Sequence, residues 1–523
     1  MRVLVLLAVL MRAIPYLSNR AFWGDEVMIA LSIRARGLAG LVAPLEFDQT
    51  MPIPILLTVK GFTLLFGNHE LVYRLPMFIG GCALPFLVWR WFPKLIGQAE
   101  TIVFLAFVTV WQPLIYYASE LKQYGLDALV TTVLMLTTLR LLRPDSGPRE
   151  WNGLTGWGIA AILVSQPSVM VLAGSVAALA IDPRARRNRS WQLRGSTALL
   201  AWGLTLLAVY LVAYRHVMGS RYMQAYWEGA FLAPGPEWTR RLLNAAWTIA
   251  GTRNFPNLRT LVLLLLIAIG ALLLWRRRGL GACLLLTVPF AALLAVSAIG
   301  LYPIAGRLVL FTAPLLFWAL ASAIVGTAHL LPRIPGALLA ATLFAVAWIP
   351  VAVTAFRFVG NPPLRETTRQ LVRRLERGDP TARAVVLPGG YPAWAYYAGN
   401  WTRPDALIAH ARRAFDCETA GIQAPDCDRL SFSDRAGAPP TLVARTPRGP
   451  PGGAADSAWV ETQTGRILGL NDDRIWIFYS IVPEVFPPRH LVQRLLARLE
   501  ASRARVDLRI RLGQSGLYHV ALP

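Results

Sequence analysis

The sequence predicts a polytopic α-helical membrane protein with a C-terminal soluble α/β domain, and three observations predict it. Of 523 residues, 55% are hydrophobic and only 15% charged, against about a quarter charged in soluble proteins. The 18 Trp, 21 Phe and 15 Tyr residues exclude a solvated, core-less chain. The net charge of +23 comes almost wholly from arginine, with Lys60, Lys94 and Lys122 the only lysines. Those arginines cluster between apolar runs, as membrane orientation requires, so a nucleic-acid partner is not expected.

An apolar run near 20 residues crosses the hydrocarbon core as a helix, because its backbone groups must be satisfied internally. About eleven such spans are predicted, at 3–17, 75–92, 97–116, 125–142, 153–165, 167–181, 196–214, 258–275, 280–298, 307–325 and 337–357. The short loops holding Lys94, Arg140, Arg184, Arg276 and Arg333 are basic and belong in the cytoplasm. Counting 51–66 as a further span would throw the later basic loops outside. That segment is therefore read as a helix lying in the outer interface. The N-terminus is then cytoplasmic and retained as the first helix, the first outer loop runs from about 18 to 74, and the C-terminus is outside.

The chain divides into a transmembrane domain, 1–358, and an extracytoplasmic α/β domain, 359–523. In the second, 364–377 and 489–504 read as amphipathic helices, and 383–388, 474–480 and 517–522 as strands of a partly parallel sheet. Cys82 and Cys283 lie in spans as packed thiols. Cys417 and Cys427 flank a polar loop on the oxidising side, where a disulfide would close about ten residues. A zinc site is the rival, although neither cysteine belongs to a C-x-x-C pair.

Ionisable groups at the outer face carry the functional signal. Asp25 and Glu26 follow Phe22-Trp23-Gly24 at the end of the first span. They read either as a helix cap, on dipole grounds, or as a base beside a lipid headgroup. Between the third and fourth spans, Glu120, Tyr124 and Asp127 are spaced to share one helical face, with Lys122 projecting elsewhere. An interfacial tyrosine belt with a snorkelling lysine explains the tyrosines but not the two carboxylates. Arg74 and Arg307 each begin a span from outside, against the positive-inside rule. They serve as snorkels or as phosphate clamps. Together these residues suit a ligand with a greasy tail, a phosphate and a polar head. Neighbouring carboxylates are also able to hold a divalent metal that bridges the phosphate.

At these residues the chain resembles the type C glycosyltransferases, membrane enzymes that use polyprenyl-phosphate sugars, and within them the protein O-mannosyltransferases and lipid A aminoarabinose transferases. The resemblance is carried by Asp25-Glu26 in a long outer loop and by a Pro-rich helix ending in Phe-Gly, Met51 to Gly67. The Glu-x3-Arg-Leu-Pro turn from Glu70 to Pro76 and Ser-Glu-Leu-Lys-Gln-Tyr from Ser119 to Tyr124 complete it. It implies juxtamembrane helices in the first outer loop and an inverting single displacement. The acceptor would be a lipid, glycan or protein hydroxyl, at the periplasmic face of a bacterial inner membrane. By that likeness Asp25 is the general base and Glu26 its neighbour. Lys122, Arg74 and Arg307 hold the donor phosphate, with Tyr124 and Glu120 beside it. Glu120 and Asp127 are the candidates for a Mg or Mn site or for orienting the acceptor. Where relatives carry a ligand before the juxtamembrane helix, this chain has Gln49-Thr50-Met51-Pro52, with Asp48 as a substitute.

Two rival readings stay open at this point. A secondary transporter would keep its ionisable groups near the midplane and show related halves, and neither feature is visible. A non-catalytic assembly or sensor protein would leave the outer-face acids unexplained.

Overall fold

The structure, a computed structural model, describes residues 1–249, 258–330, 332–363, 367–419, 430–444, 454–470, 472–480, 489–512 and 515–523. The chain forms two compact units. The first comprises Met1–Ser18, Thr50–Gly67 and Leu71–Pro362.

This first unit is a helical membrane body. Among the described residues, six helices are long and apolar enough to cross a membrane: Glu70–Trp91, Tyr124–Leu141, Arg189–Met218, Leu261–Ala298, Gly306–Ala328 and Arg333–Gly360. Shorter helices accompany them, among them Arg2–Leu17, Pro148–Val164 and Ser168–Ala180. The run Leu258–Ala298 is two helices rather than one. They meet at Gly279, whose φ of 82° and ψ of 173° leave the helical region, beside the arginines at 276–278. The segment expected to cross at 97–116 is broken into Gln98–Val110 and Gln112–Tyr117. Pro113 lacks the N–H that would bond the carbonyl of Thr109, and the helix breaks just before it, at the extended Trp111.

Ile53–Phe66 has 14 residues, about 21 Å at helical rise and too short for a hydrocarbon core of about 30 Å. Its last residues Leu64, Leu65 and Phe66 are exposed apolar side chains, suited to lying in an interface. Packing in the unit centres on Phe317, whose ring lies 5.2 Å from Trp111 and 5.8 Å from Phe104. The buried Glu100 is paired with Arg277 at 3.4 Å and Arg278 at 3.2 Å, tying the Gln98–Val110 helix to the basic 276–278 turn.

The second unit gathers Asn19–Gln49, Asn68–Glu70 and Pro363–Pro523. The segment after Pro362 is thus joined by most of the stretch between the first two predicted spans. Its centre is a six-stranded mixed sheet of β1 (Arg383–Val386), β2 (Ser431–Phe432), β3 (Thr441–Val443), β4 (Arg474–Ser480), β5 (Arg505–Leu512) and β6 (Ser515–Ala521). The order is β2-β3-β1-β4-β6-β5. β1 runs parallel to both β3 and β4, with Val385 opposite Leu442 and Ile477. The remaining pairs are antiparallel. Ile475 and Ile477 of β4, Val385 and Val520 pack with Leu491, Leu495 and Leu499 of the Arg489–Ala501 helix. β5 closes one edge with Arg505, Arg509 and Arg511, charges that discourage a further strand.

Candidate functional site: acids in one unit, cations in the other

Asp25 and Glu26 lie in the second unit, in the first turn of the Gly24–Ala35 helix. Trp23 is extended, and its carbonyl accepts the N–H groups of Glu26 at 2.8 Å and Val27 at 2.9 Å. The Trp23 N–H in turn donates to Glu26 Oε2 at 3.4 Å. Glu26 is 1% exposed. The N-cap is thus Trp23 rather than Asp25, closed by Glu26 at the third helical position, while Asp25 is half-buried at the same positive helix end. Further along, Ser32 Oγ donates to Glu46 Oε2 at 2.8 Å and Arg34 lies 3.9 Å over the Trp401 ring. These contacts fix the helix within its own unit.

Arg74, Glu120, Lys122, Tyr124, Asp127 and Arg307 belong to the first unit. Tyr124 opens the Tyr124–Leu141 helix, and Asp127 sits in its first turn. Glu120 does not share that helical face, contrary to expectation: it lies in the turn 118–123 with Lys122, whose N–H donates to the Glu120 carbonyl at 2.9 Å. The reason is packing at Gly125, where a Cβ would stand 3.3 Å from the Tyr117 carbonyl oxygen. Two helix ends abut there, and the six residues between them must turn.

Glu120, Lys122 and Asp127 are all buried, as is Arg74 on the Glu70–Trp91 helix. That helix presses on the turn through Gly80 and Gly81. A Cβ on Gly80 would meet Leu126 Cδ2 at 2.1 Å, and one on Gly81 would meet Ala118 Cβ at 2.6 Å. Arg74 and Lys122 are thus carried on elements in direct contact.

Arg307 begins the Gly306–Thr312 turn of helix and approaches the same place from far along the chain. Its guanidinium carbon is 5.7 Å from the centre of the Tyr124 ring and 5.8 Å from that of Trp227. Tyr117 meets Tyr124 edge-on at 5.2 Å. Tyr302 completes the wall, its hydroxyl donating to the Leu308 carbonyl at 2.9 Å. Burial, and then the nearby Asp127, Tyr124 and Tyr214, hold that phenol well above its usual acidity range. It stays a neutral donor.

Sequence reasoning missed Trp227, the last residue of the Arg221–Trp227 helix, and Tyr302, in the loop ahead of Arg307. It also missed Arg12, a charge inside an apolar run and so a readable signal. Arg12 is fully buried and donates to the carbonyls of Ala8 at 2.9 Å and Val108 at 3.0 Å.

Glu120 and Asp127 bring two carboxylates, one in the turn 118–123 and one in the first turn of the Tyr124–Leu141 helix. Among the described residues no group of three or more His, Cys, Asp or Glu side chains could hold an ion. Asp48 instead lies beside Asp416, whose carboxyl is raised by burial and by that neighbour, against the lowering effect of Arg412. Cys82 and Cys283 are free thiols. Cys417 is buried on the Pro404–Thr419 helix, and Cys427 lies outside the described residues.

No protein-family model matches the chain, and no curated protein matches it by sequence. Solved structures do. ArnT from Cupriavidus metallidurans, bound to undecaprenyl phosphate, aligns over 98% of this chain and 97% of its own, at 13% identity and a TM-score of 0.47. The archaeal oligosaccharyltransferase AglB from Archaeoglobus fulgidus, in complex with an inhibitory peptide and a dolichol-phosphate, covers 75% of this chain and 63% of its own. Its identity is 10% and its TM-score 0.49. The Archaeoglobus fulgidus oligosaccharyltransferase in complex with Zn and sulfate aligns over 84% of this chain and 73% of its own, at 9% identity and a TM-score of 0.50. At a TM-score of 0.50 and 9% identity, the likeness to the last of these is one of fold.

Proposed function

We propose that the chain is an inverting glycosyltransferase of the bacterial inner membrane. It would move a sugar from a polyprenyl-phosphate donor to a hydroxyl of a lipid, glycan or protein at the periplasmic face. The observation that carries this reading is the meeting of Arg307 with Tyr124 at the end of the Lys122 turn. Arg307 thus comes, from far along the chain, to the residue two positions after Lys122, and Arg74 rides on the helix packed against that turn. Such cations at a membrane surface suit a lipid-linked phosphate.

In the proposed reaction the acceptor hydroxyl oxygen attacks the anomeric carbon of the sugar. The bond from that carbon to the phosphate oxygen breaks, and its electron pair leaves with the polyprenyl phosphate. Lys122, Arg74 and Arg307 balance the negative charge that grows on the leaving phosphate. Asp25 takes the hydroxyl proton, and configuration inverts. Glu26 keeps the Asp25 turn in place through its cap. Greasy contact for the polyprenyl chain comes from the apolar helix faces turned to lipid. No step is assigned to a metal; Glu120 and Asp127 remain the residues that would hold one beside the donor phosphate.

The deciding experiment compares lipids and surface glycans by mass spectrometry from cells carrying wild-type chain, Asp25→Asn or no chain. A glycosylated product present only with the wild type supports the reading. Undiminished product with Asp25→Asn removes the proposed base.

A further inference from the structure

Within the second unit, a line of hydrogen bonds runs from the C-terminal segment to the backbone just ahead of Asp25. The Phe22 N–H donates to the Tyr397 hydroxyl at 2.8 Å, and that hydroxyl donates to Glu70 Oε1 at 3.0 Å. Glu70 is held in turn by Arg369 Nη1 at 2.9 Å. Arg369 reaches back through Nη2 to the Asn19 carbonyl at 2.5 Å. Asn19 itself is in the left-handed region, at a φ of 46°, a conformation that needs outside support. The loop from Asn19 to Phe22 is therefore gripped at both ends by one phenol and one guanidinium. The Phe22 ring also meets Tyr396 edge-on at 5.4 Å.

A hydroxyl that accepts from one group and donates to another has its rotor fixed by both. The Glu70 carboxylate sets the direction in which the Tyr397 proton points. The remaining lone pairs face the Phe22 amide, three residues before Asp25 and one before the Trp23 cap. We infer that Tyr397, oriented by Glu70 and Arg369, is a positioning residue for Asp25, and that the C-terminal segment thereby sets the aim of the proposed base. The inference rests on the function proposed above. It gives that segment a part in turnover that does not require it to touch either substrate.

The test uses the full chain in native-like lipid, with amide hydrogen exchange and transfer measured side by side. Tyr397→Phe keeps the ring and removes the bridge. The amides of residues 19–26 should then exchange faster while the strands of the sheet are unchanged. Turnover should fall by roughly 10- to 100-fold, the scale for a misplaced reacting group. The dilution of donor lipid giving half the maximal rate should not move. Arg369→Lys keeps a charge for Glu70 but shortens the reach to Asn19, and serves as second variant should Tyr397→Phe fold poorly. It should show the same exchange signature with a smaller loss of rate. Wild-type exchange and wild-type turnover in a folded variant, with Asp25→Asn inactive, would overturn the inference and leave the proposed function standing. An active Asp25→Asn would overturn the proposed function instead.

Discussion

Arg307 shows how much a single side chain can owe to its neighbours. Its cation lies between the rings of Tyr124 and Trp227, a pairing worth about 0.5–2 kcal/mol each. Tyr124→Ala should therefore weaken donor use by roughly 3- to 30-fold, read as the donor concentration for half-maximal rate, with little change in maximal rate. Arg307→Lys should do worse than its charge suggests, because an ammonium cannot offer a planar fork to a phosphate. At Glu26 the expectation is about folding. Glu26→Ala removes the acceptor that closes the helix cap and should cost about 0.5–2 kcal/mol, seen as a lower thermal midpoint, whereas Glu26→Gln should retain most of it. Asp25, Glu26, Lys122 and Arg74 stand out as candidates in the sequence because their signal is local: an acid pair, a short motif, a cation on the wrong side. Trp227 and Tyr302 do not, because what makes them part of the wall is a meeting of chain segments that no local pattern records.

Helices and strands divide along the same line. β1, β4 and β6 fall where the sequence has buried apolar runs, at 383–388, 474–480 and 517–522, and the Arg489–Ala501 helix falls within 489–504. β2 and β3 are two and three residues long, too short for periodicity to register. β5 alternates arginine and aspartate with aliphatic residues from Arg505, a period-two signal that was readable. Carboxylate spacing predicts one helical face for Glu120, Tyr124 and Asp127, whereas the chain turns at 118–123, close to where a Cβ on Gly125 would stand 3.3 Å from the Tyr117 carbonyl oxygen. Gly80 and Gly81 allow a sharper expectation. Gly80 makes the closer approach, but to the end of a Leu126 side chain that can rotate, whereas Gly81 faces the Cβ of Ala118, which cannot. Gly81→Ala should thus destabilise more than Gly80→Ala, by about 1–3 kcal/mol, in thermal unfolding of the lipid-embedded chain.

For the whole molecule, pH and chain order both matter. His410, stacked 4.5 Å from Phe432, and His519, 4.4 Å from Trp476, are both lowered chiefly by burial. For His519, Asp379 and Asp507 oppose that shift and Arg474 adds to it. A histidine lowered in the folded state binds fewer protons than it does unfolded, so its share of stability is intact above about pH 6.5 and is lost as pH falls below that value. Thermal midpoints of the full chain should drop on acidification from pH 7 to 5, and His519→Gln should flatten part of that slope. The arrangement of the second unit has a further consequence in time. Its first piece ends at Gln49 and its main piece starts at Pro363, 363 − 49 = 314 positions later. At about 5–20 residues per second, a ribosome needs on the order of 15–60 s to cover that interval. Through all of it, the Asp25 helix waits without the surface that Tyr397 and Trp401 supply. A chain stopped after Pro362 should consequently be nicked by protease within 19–49 while its membrane helices stay protected, and the interval itself should be visible as a lag in protease resistance during synthesis.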